Sequence, residues 1–188
     1  MTDIPKDVVE KKTNVLKDKM YYRQQTPLLL AKALLAKIPF ENGDVVYEPF
    51  KGEGHFYNQF PEMVHKDWSE ILEGRNFINY KKPVDWVITY PPFKMDLLKG
   101  NESVFFRILN YFATENRVRK GICLLASKES YMSITPRRMQ VLNSKGWFLS
   151  KQVVCNVSEC RGRMVFMMFS KKEMTFEEPC FDYLLKFF

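Results

Sequence analysis

A chain of 188 residues, 46% hydrophobic and 27% charged, has the length and composition of one α/β-sized core and is too short for two independent domains. Its four cysteines form no CxxC pair and it has only two histidines, which argues against a structural zinc site and predicts reduced thiols. The formal net charge of +7 favours a polyanionic partner such as DNA or RNA.

The opening MTDIPKDVVEKK lacks the apolar core of a secretory signal. No segment approaches the run of roughly 20 apolar residues that spans a bilayer. The sequence therefore predicts an intracellular protein, cytoplasmic or nuclear, with no membrane contact and no bound metal. Residues 1–18 read as a polar N-terminal segment and 19–188 as a single domain.

The elements are predicted in this order. Thr26 reads as an N-cap and Pro27 as the first helical residue, opening an amphipathic helix from Leu28 to Ile38 that Pro39 and Gly43 end. Asp44 to Glu48 is a short apolar strand. A helix follows from His55 to about Met63, then a second strand from Val64 to Glu70 and a short extended piece at Asn76 to Ile78. Val84 to Tyr90 is a strong strand, stopped by Pro91 and Pro92. Glu102 to Thr114 has helical spacing, Gly121 to Ala126 is a buried strand, and Thr135 caps a helix that runs to about Asn143. Trp147 to Val157 and Met164 to Ser170 are long strands joined by a polar turn. Alternating strands and helices imply a Rossmann-like, mostly parallel α/β sheet, with the C-terminal hairpin as an antiparallel edge.

Three constellations carry chemistry. Glu48-Pro49-Phe50-Lys51-Gly52-Glu53-Gly54 lies where a strand hands over to a helix, where glycines allow a tight turn and a close backbone approach to a ligand. An acidic group at the strand end there accepts hydrogen bonds from a cationic or hydroxylated ligand. Glu70 follows sixteen residues after Gly54, near where doubly wound folds place a carboxylate on ribose hydroxyls. Thr89-Tyr90-Pro91-Pro92-Phe93 ends the strongest strand. Prolines there leave carbonyls outside the ladder, and the aromatic after them offers a stacking surface. Taken singly, each has an ordinary reading as well: a strand-to-helix turn, a surface glutamate, a strand terminator.

In combination and order, these residues resemble the amino-methyltransferases of the N6-adenine type. Glu48 to Gly54 matches that family's acidic-Pro-Phe-x-Gly-x-Gly motif, and Tyr90 to Phe93 matches three of the four positions of Asn/Asp-Pro-Pro-Tyr/Phe/Trp. The resemblance spans about residues 20 to 170. It implies S-adenosylmethionine as cofactor, with Glu48, Pro49, Phe50, Gly52 and Gly54 near its methionine end and Glu70 on the ribose. Asn76 and Phe77 would meet the adenine, and Thr26 and Pro27 would flank the cofactor. Tyr90, Pro91, Pro92 and Phe93 would form the catalytic turn, with Phe93 stacking on the target base.

One position departs from the family. The first catalytic residue there is Asn or Asp, whose side-chain oxygen accepts a hydrogen bond from the target amino group. Here it is Tyr90, with a longer and less basic acceptor. Three readings follow: an active methyltransferase on adenine in DNA or RNA, an inactive methyltransferase fold that binds nucleic acid or a partner, and a methyltransferase for a protein side-chain amide. In each, sequence specificity falls to loops near the site or to a protein partner. Arg117, Arg119 and Lys120, or Arg161 and Arg163, are candidates for basic residues beside the entrance.

Overall fold

The computed structural model describes residues 26–92, 98, 102–156 and 163–171, and the backbone of 181–184. The boundary expected at residues 18 and 19 lies outside the described residues. Among the described residues, seven strands form one sheet in the order β2-β1-β3-β4-β6-β5-β7. They are β1 (Val45–Glu48), β2 (His65–Trp68), β3 (Val84–Thr89), β4 (Val118–Ser127), β5 (Phe148–Asn156), β6 (Arg163–Ser170) and β7 (Phe181–Leu184). The pairs β1/β2, β1/β3, β3/β4 and β5/β7 are parallel, and β6 runs antiparallel to both β4 and β5. The mostly parallel α/β sheet with an antiparallel hairpin is the architecture the sequence predicts.

Side chains of a strand alternate between the two faces of a sheet, and both faces here are apolar. Trp86, Ile88, Cys123, Leu125 and Phe166 face one cluster, which helix α1 (Leu28–Leu35) covers with Leu30, Ala31, Leu34 and Leu35. Val87, Ile122, Leu124 and Met167 face the other, under helix α2 (Val104–Thr114) and Leu142 of helix α4 (Pro136–Asn143). Helix α2 repeats its apolar residues at helical spacing and buries Phe105, Phe106, Ile108, Leu109 and Phe112. The Ser103 hydroxyl caps it by accepting from the Phe106 N–H at 3.3 Å. A short helix, α3 (Lys128–Met132), follows β4 directly, with Ser127 as its cap.

Polar groups lock the amino ends of β1, β3 and β4. Buried Asp44 accepts from the Trp86 indole at 2.8 Å, from the Glu41 N–H at 3.0 Å and from Lys120 Nζ at 2.6 Å. Asp85 accepts from the Val45 N–H at 2.8 Å and pairs with Arg119 at 2.9 Å. Burial raises the Asp44 carboxyl, but its hydrogen bonds from Lys120, Glu41 and Trp86 outweigh that and hold it below the usual carboxylate range.

Several elements differ from expectation. The helix predicted over His55 to Met63 is a single 3-10 turn at Tyr57–Gln59, because Phe60 turns extended ahead of Pro61. Thr26 does not cap α1. Pro27 occupies the cap position, with no side-chain hydrogen bond to the helix. The extended piece at Asn76 is the cap of a 3-10 turn, Phe77–Asn79. The hairpin is not the sheet edge, since β7 pairs beyond β5. Among the described residues, no helix is long and apolar enough to cross a membrane, and no cluster of three or more His, Cys, Asp or Glu stands ready for a metal.

Two expectations test this framework. Gly121 is the register partner of Trp86, and a Cβ there would lie 2.2 Å from the indole ring. Gly121→Ala should destabilise the fold by roughly 1–3 kcal/mol, as overpacking does, measured by urea unfolding. Asp44 has a lowered carboxyl, so its stabilisation is present above its unfolded value of 3.8 and is lost as pH falls through its lower folded value. Asp44→Asn should lower the unfolding midpoint at neutral pH, and the gap to the parent protein should close in acid.

Candidate functional site

From β1 the chain proceeds to β2 on one side, whereas β3 and β4 lie on the other. The strand order therefore reverses between β1 and β3. In open α/β sheets, the crevice beyond the carboxyl ends at such a reversal is where ligands bind. Here those ends are Glu48 and Thr89-Tyr90.

Glu48 is 3% exposed, and its Oε2 has no hydrogen-bond partner among the described residues. Burial pushes its carboxyl well above the ordinary range; the Tyr57 backbone hydrogen bond and Lys51 oppose this, and the nearby Glu70 adds to it. A buried acceptor left open at the mouth of a crevice is fitted for a cationic or hydroxylated group. The backbone beside it is open too. Gly52 and Gly54 have φ of 55° and 84°, conformations that disfavour any side chain, and a Cβ on Gly54 would meet Asn58 at 3.0 Å.

Glu70 is also buried, and both of its oxygens hold backbone. Oε2 accepts from the Gly52 N–H at 2.8 Å and Oε1 from the Leu72 N–H at 3.1 Å. The Lys51 N–H donates to the Ser69 carbonyl at 3.0 Å, so the glycine turn and the end of β2 are stitched together. Trp68 strengthens the junction: Lys51 Nζ lies 3.7 Å from its ring centroid and the Arg75 guanidinium 4.0 Å. Sequence reading passed over Trp68; a cation inside the glycine motif was the available signal. Past this point, Asn76 caps the next turn by accepting from the Ile78 N–H at 3.1 Å. Phe77 is buried against Phe50 and Tyr111.

The structure brings Thr26 to the same region. Its carbonyl lies 2.6 Å from Nδ1 of His55, the residue after Gly54. Pro27 follows as the cap of α1. The glycine turn, Glu70 and the Thr26 backbone thus converge, although they are far apart in sequence.

Tyr90 packs its ring against the core cluster beneath α1, and its hydroxyl is buried. Thr89 before it is fully buried, with a hydroxyl that has no partner among the described residues. Tyr90, Pro91 and Pro92 line a cleft of about 480 Å³, together with Glu102, Ser103, Ser127 and Glu129 among others. Phe93 lies outside the described residues. The cleft occupies the junction of the Pro-Pro turn with the starts of α2 and α3.

The basic groups considered for the entrance separate. Arg119 and Lys120 begin β4 and are bound to Asp85 and to Asp44 and Glu41, at the amino ends of the strands. Arg117 pairs with Glu115 and donates to the Tyr80 carbonyl. That group is structural and sits at the end of the sheet opposite the crevice. Met164 pairs with Ser127, so Arg163 begins β6 at the carboxyl end of β4, on the crevice side. Arg161 lies outside the described residues.

No family model and no curated protein sequence matches the chain. Solved structures do match in fold. A candidate class I S-adenosylmethionine-dependent methyltransferase from Listeria monocytogenes is 14% identical, with a TM-score of 0.65 over 86% of this chain and 66% of that one. A chain of the E. cuniculi Mtq2–Trm112 complex, responsible for methylating the termination factor eRF1, is 14% identical, with a TM-score of 0.55 over 81% of this chain and 99% of that one. A modification subunit of a candidate type I restriction enzyme from Vibrio vulnificus is 10% identical, with a TM-score of 0.53 over 91% of this chain and 51% of that one. The chain thus spans about two thirds of the Listeria protein and half of the Vibrio one. At these identities the likeness is one of fold.

Proposed function

We propose that the chain is an S-adenosylmethionine-dependent methyltransferase acting on an exocyclic amino group, with adenine N6 in DNA or RNA as its substrate. The observation that carries this reading is the open, buried acceptor of Glu48, set beside two positive-φ glycines and one strand away from Pro91-Pro92. S-adenosylmethionine, when bound, supplies an electrophilic methyl group. Glu48 would accept the methionine ammonium, and the backbone of Pro49 to Gly54 would wrap that end of the cofactor. Glu70, at the end of β2 beside the glycine turn, would take the ribose hydroxyls. The turn at Asn76 and Phe77 would carry the adenine, and Thr26 and Pro27 would close over the glycine turn.

On the substrate side, Pro91, Pro92 and Phe93 would hold the target base, with a proline carbonyl accepting one N–H. Tyr90 would serve as a wall of the cleft rather than as a free acceptor, since its ring is packed and its hydroxyl buried. The net charge of +7 supports a nucleic-acid substrate, and reaching a base inside a duplex would require flipping it out. A protein partner would add target specificity.

A second reading, methylation of a protein side-chain amide, draws support from the cleft, whose lining holds Glu102 and Glu129 and no lysine or arginine among the described residues. The Mtq2–Trm112 likeness, over nearly all of that chain, points the same way. Transfer of a labelled methyl group to single-stranded DNA, RNA or a mixed peptide library decides between the readings. Label in nucleic acid at adenine N6 is expected, and label in peptide alone would replace it by the amide reading.

Two variants test the assigned roles. Glu48 has a raised carboxyl, so its contribution to apo stability is full below the unfolded value of 4.5 and declines as pH rises toward the folded value. Glu48→Gln should therefore raise the melting temperature near neutral pH, with the gain vanishing toward pH 4.5. The same variant should weaken S-adenosylhomocysteine binding by about tenfold or more in calorimetry, through loss of a charged acceptor. Unchanged affinity would remove Glu48 from the ligand. Tyr90→Phe should keep the methyl-transfer rate within about threefold of the parent. A fall of a hundredfold or more, the size of a lost transition-state hydrogen bond, would make the hydroxyl a catalytic acceptor after all.

A further inference from the structure

The family's side-chain acceptor is missing at Tyr90, yet a planar amino nitrogen still needs one. Its lone pair is delocalised into the ring. With S-adenosylmethionine bound to supply the methyl group, an acceptor on the N–H bonds would concentrate electron density on the nitrogen, and the proton it sheds would pass to solvent. The cleft beside Pro91-Pro92 offers few acceptors. Ser103 and Ser127 are committed as caps of α2 and α3. Glu129 is engaged at the start of α3, where its own backbone N–H and the Ser127 hydroxyl hold its carboxyl below the usual range.

Glu102 is different. It stands one residue before the cap of α2, on the cleft wall. Its ion pair among the described residues is with Arg138 at 3.8 Å, beyond hydrogen-bonding distance. Arg138 is otherwise occupied: it donates to the Ser133 carbonyl and lies 4.9 Å from the Phe106 ring centroid. The Glu102 side chain is 45% exposed, which leaves it room to turn toward a ligand in the cleft.

We propose that Glu102 accepts a hydrogen bond from the target amino group, taking the part that Asn or Asp plays in the resembling family. The assignment rests on the adenine reading above. It is tested by binding, without turnover. The protein is saturated with S-adenosylhomocysteine and titrated with a single-stranded oligonucleotide carrying one adenine, then with the same oligonucleotide carrying purine, which lacks the amino group, in its place. Fluorescence anisotropy should show the parent preferring adenine by about tenfold to a hundredfold, the scale of a hydrogen bond to a charged group. Glu102→Ala should abolish the preference, and Glu102→Gln, whose amide oxygen still accepts, should keep part of it. Unchanged S-adenosylhomocysteine affinity in both variants reports an intact fold. If Glu102→Ala loses that affinity, Glu102→Gln decides, and a full adenine preference there overturns the assignment. So does a parent that fails to distinguish adenine from purine, or a preference that survives in a folded Glu102→Ala. The proposed activity fails separately, if the parent transfers no methyl group while the preference still depends on Glu102.

Discussion

Burying Glu48 beside Glu70 works against the fold. Two carboxyl groups share the carboxyl end of β1 and the turn after β2, and water is excluded from the first. A buried acceptor with an open lone pair costs on the order of 1–3 kcal/mol. The fold tolerates it because the surroundings over-determine the position. β1 is flanked by parallel partners on both sides, Glu70 is held by two backbone N–H groups, and Lys51 is held over Trp68 and paired with Glu73 at 2.8 Å. Strain of this kind is characteristic of ligand sites, where the ligand supplies the missing partner.

The opposite end of the same strands is built on the reverse principle. Asp44 and Asp85 are buried there as well, but among the described residues they accept from donors and cations: the Trp86 indole, backbone N–H groups, Arg119 and Lys120. The sheet thus pairs Asp44 and Asp85 at its amino end, while at its carboxyl end the Glu48 Oε2 and the Thr89 hydroxyl have no partner among the described residues. Since breaking a buried pair is strongly destabilising, the amino end fixes the register of β1, β3 and β4. That register sets Glu48 and Tyr90 one strand apart. Arg119 and Lys120 at the start of β4 serve this purpose.

The strand ladder was legible in the sequence because each buried strand is a short apolar run with a clear stop: Pro91 after β3, polar residues around the hairpin, Gly43 before β1. The glycine turn was legible because positive φ selects glycine. What was not legible depends on partners distant in sequence. Phe56 and Phe60 carry helical spacing but are anchored in the core across a tight turn, so tertiary packing and Pro61 override the periodicity. Arg119 and Lys120 look like any basic pair until Asp85 and Asp44 arrive from other strands. Trp68 gains its meaning from Lys51 and Arg75, and Glu102 from a cleft formed by three separate segments.

Tyr90 occupies the end of β3, where the fold presents one residue at the mouth of the crevice. The strand that delivers it is buried along its whole length, so position 90 has to emerge at the crevice whatever residue it carries. An asparagine or aspartate there would project a short polar group into the cleft. A tyrosine instead spends its ring on the apolar cluster under α1 and buries its hydroxyl. That exchange adds packing at the end of β3 and removes a polar group from the cleft wall. The proposed replacement, Glu102, comes from a neighbouring element that borders the same space, the start of α2. Its first residues can carry a carboxylate without disturbing the sheet, because a negative charge before a helix N-terminus is favoured by the helix dipole. A carboxylate in that place is thus stable in the free protein and remains within the wall of the cleft that a substrate would enter.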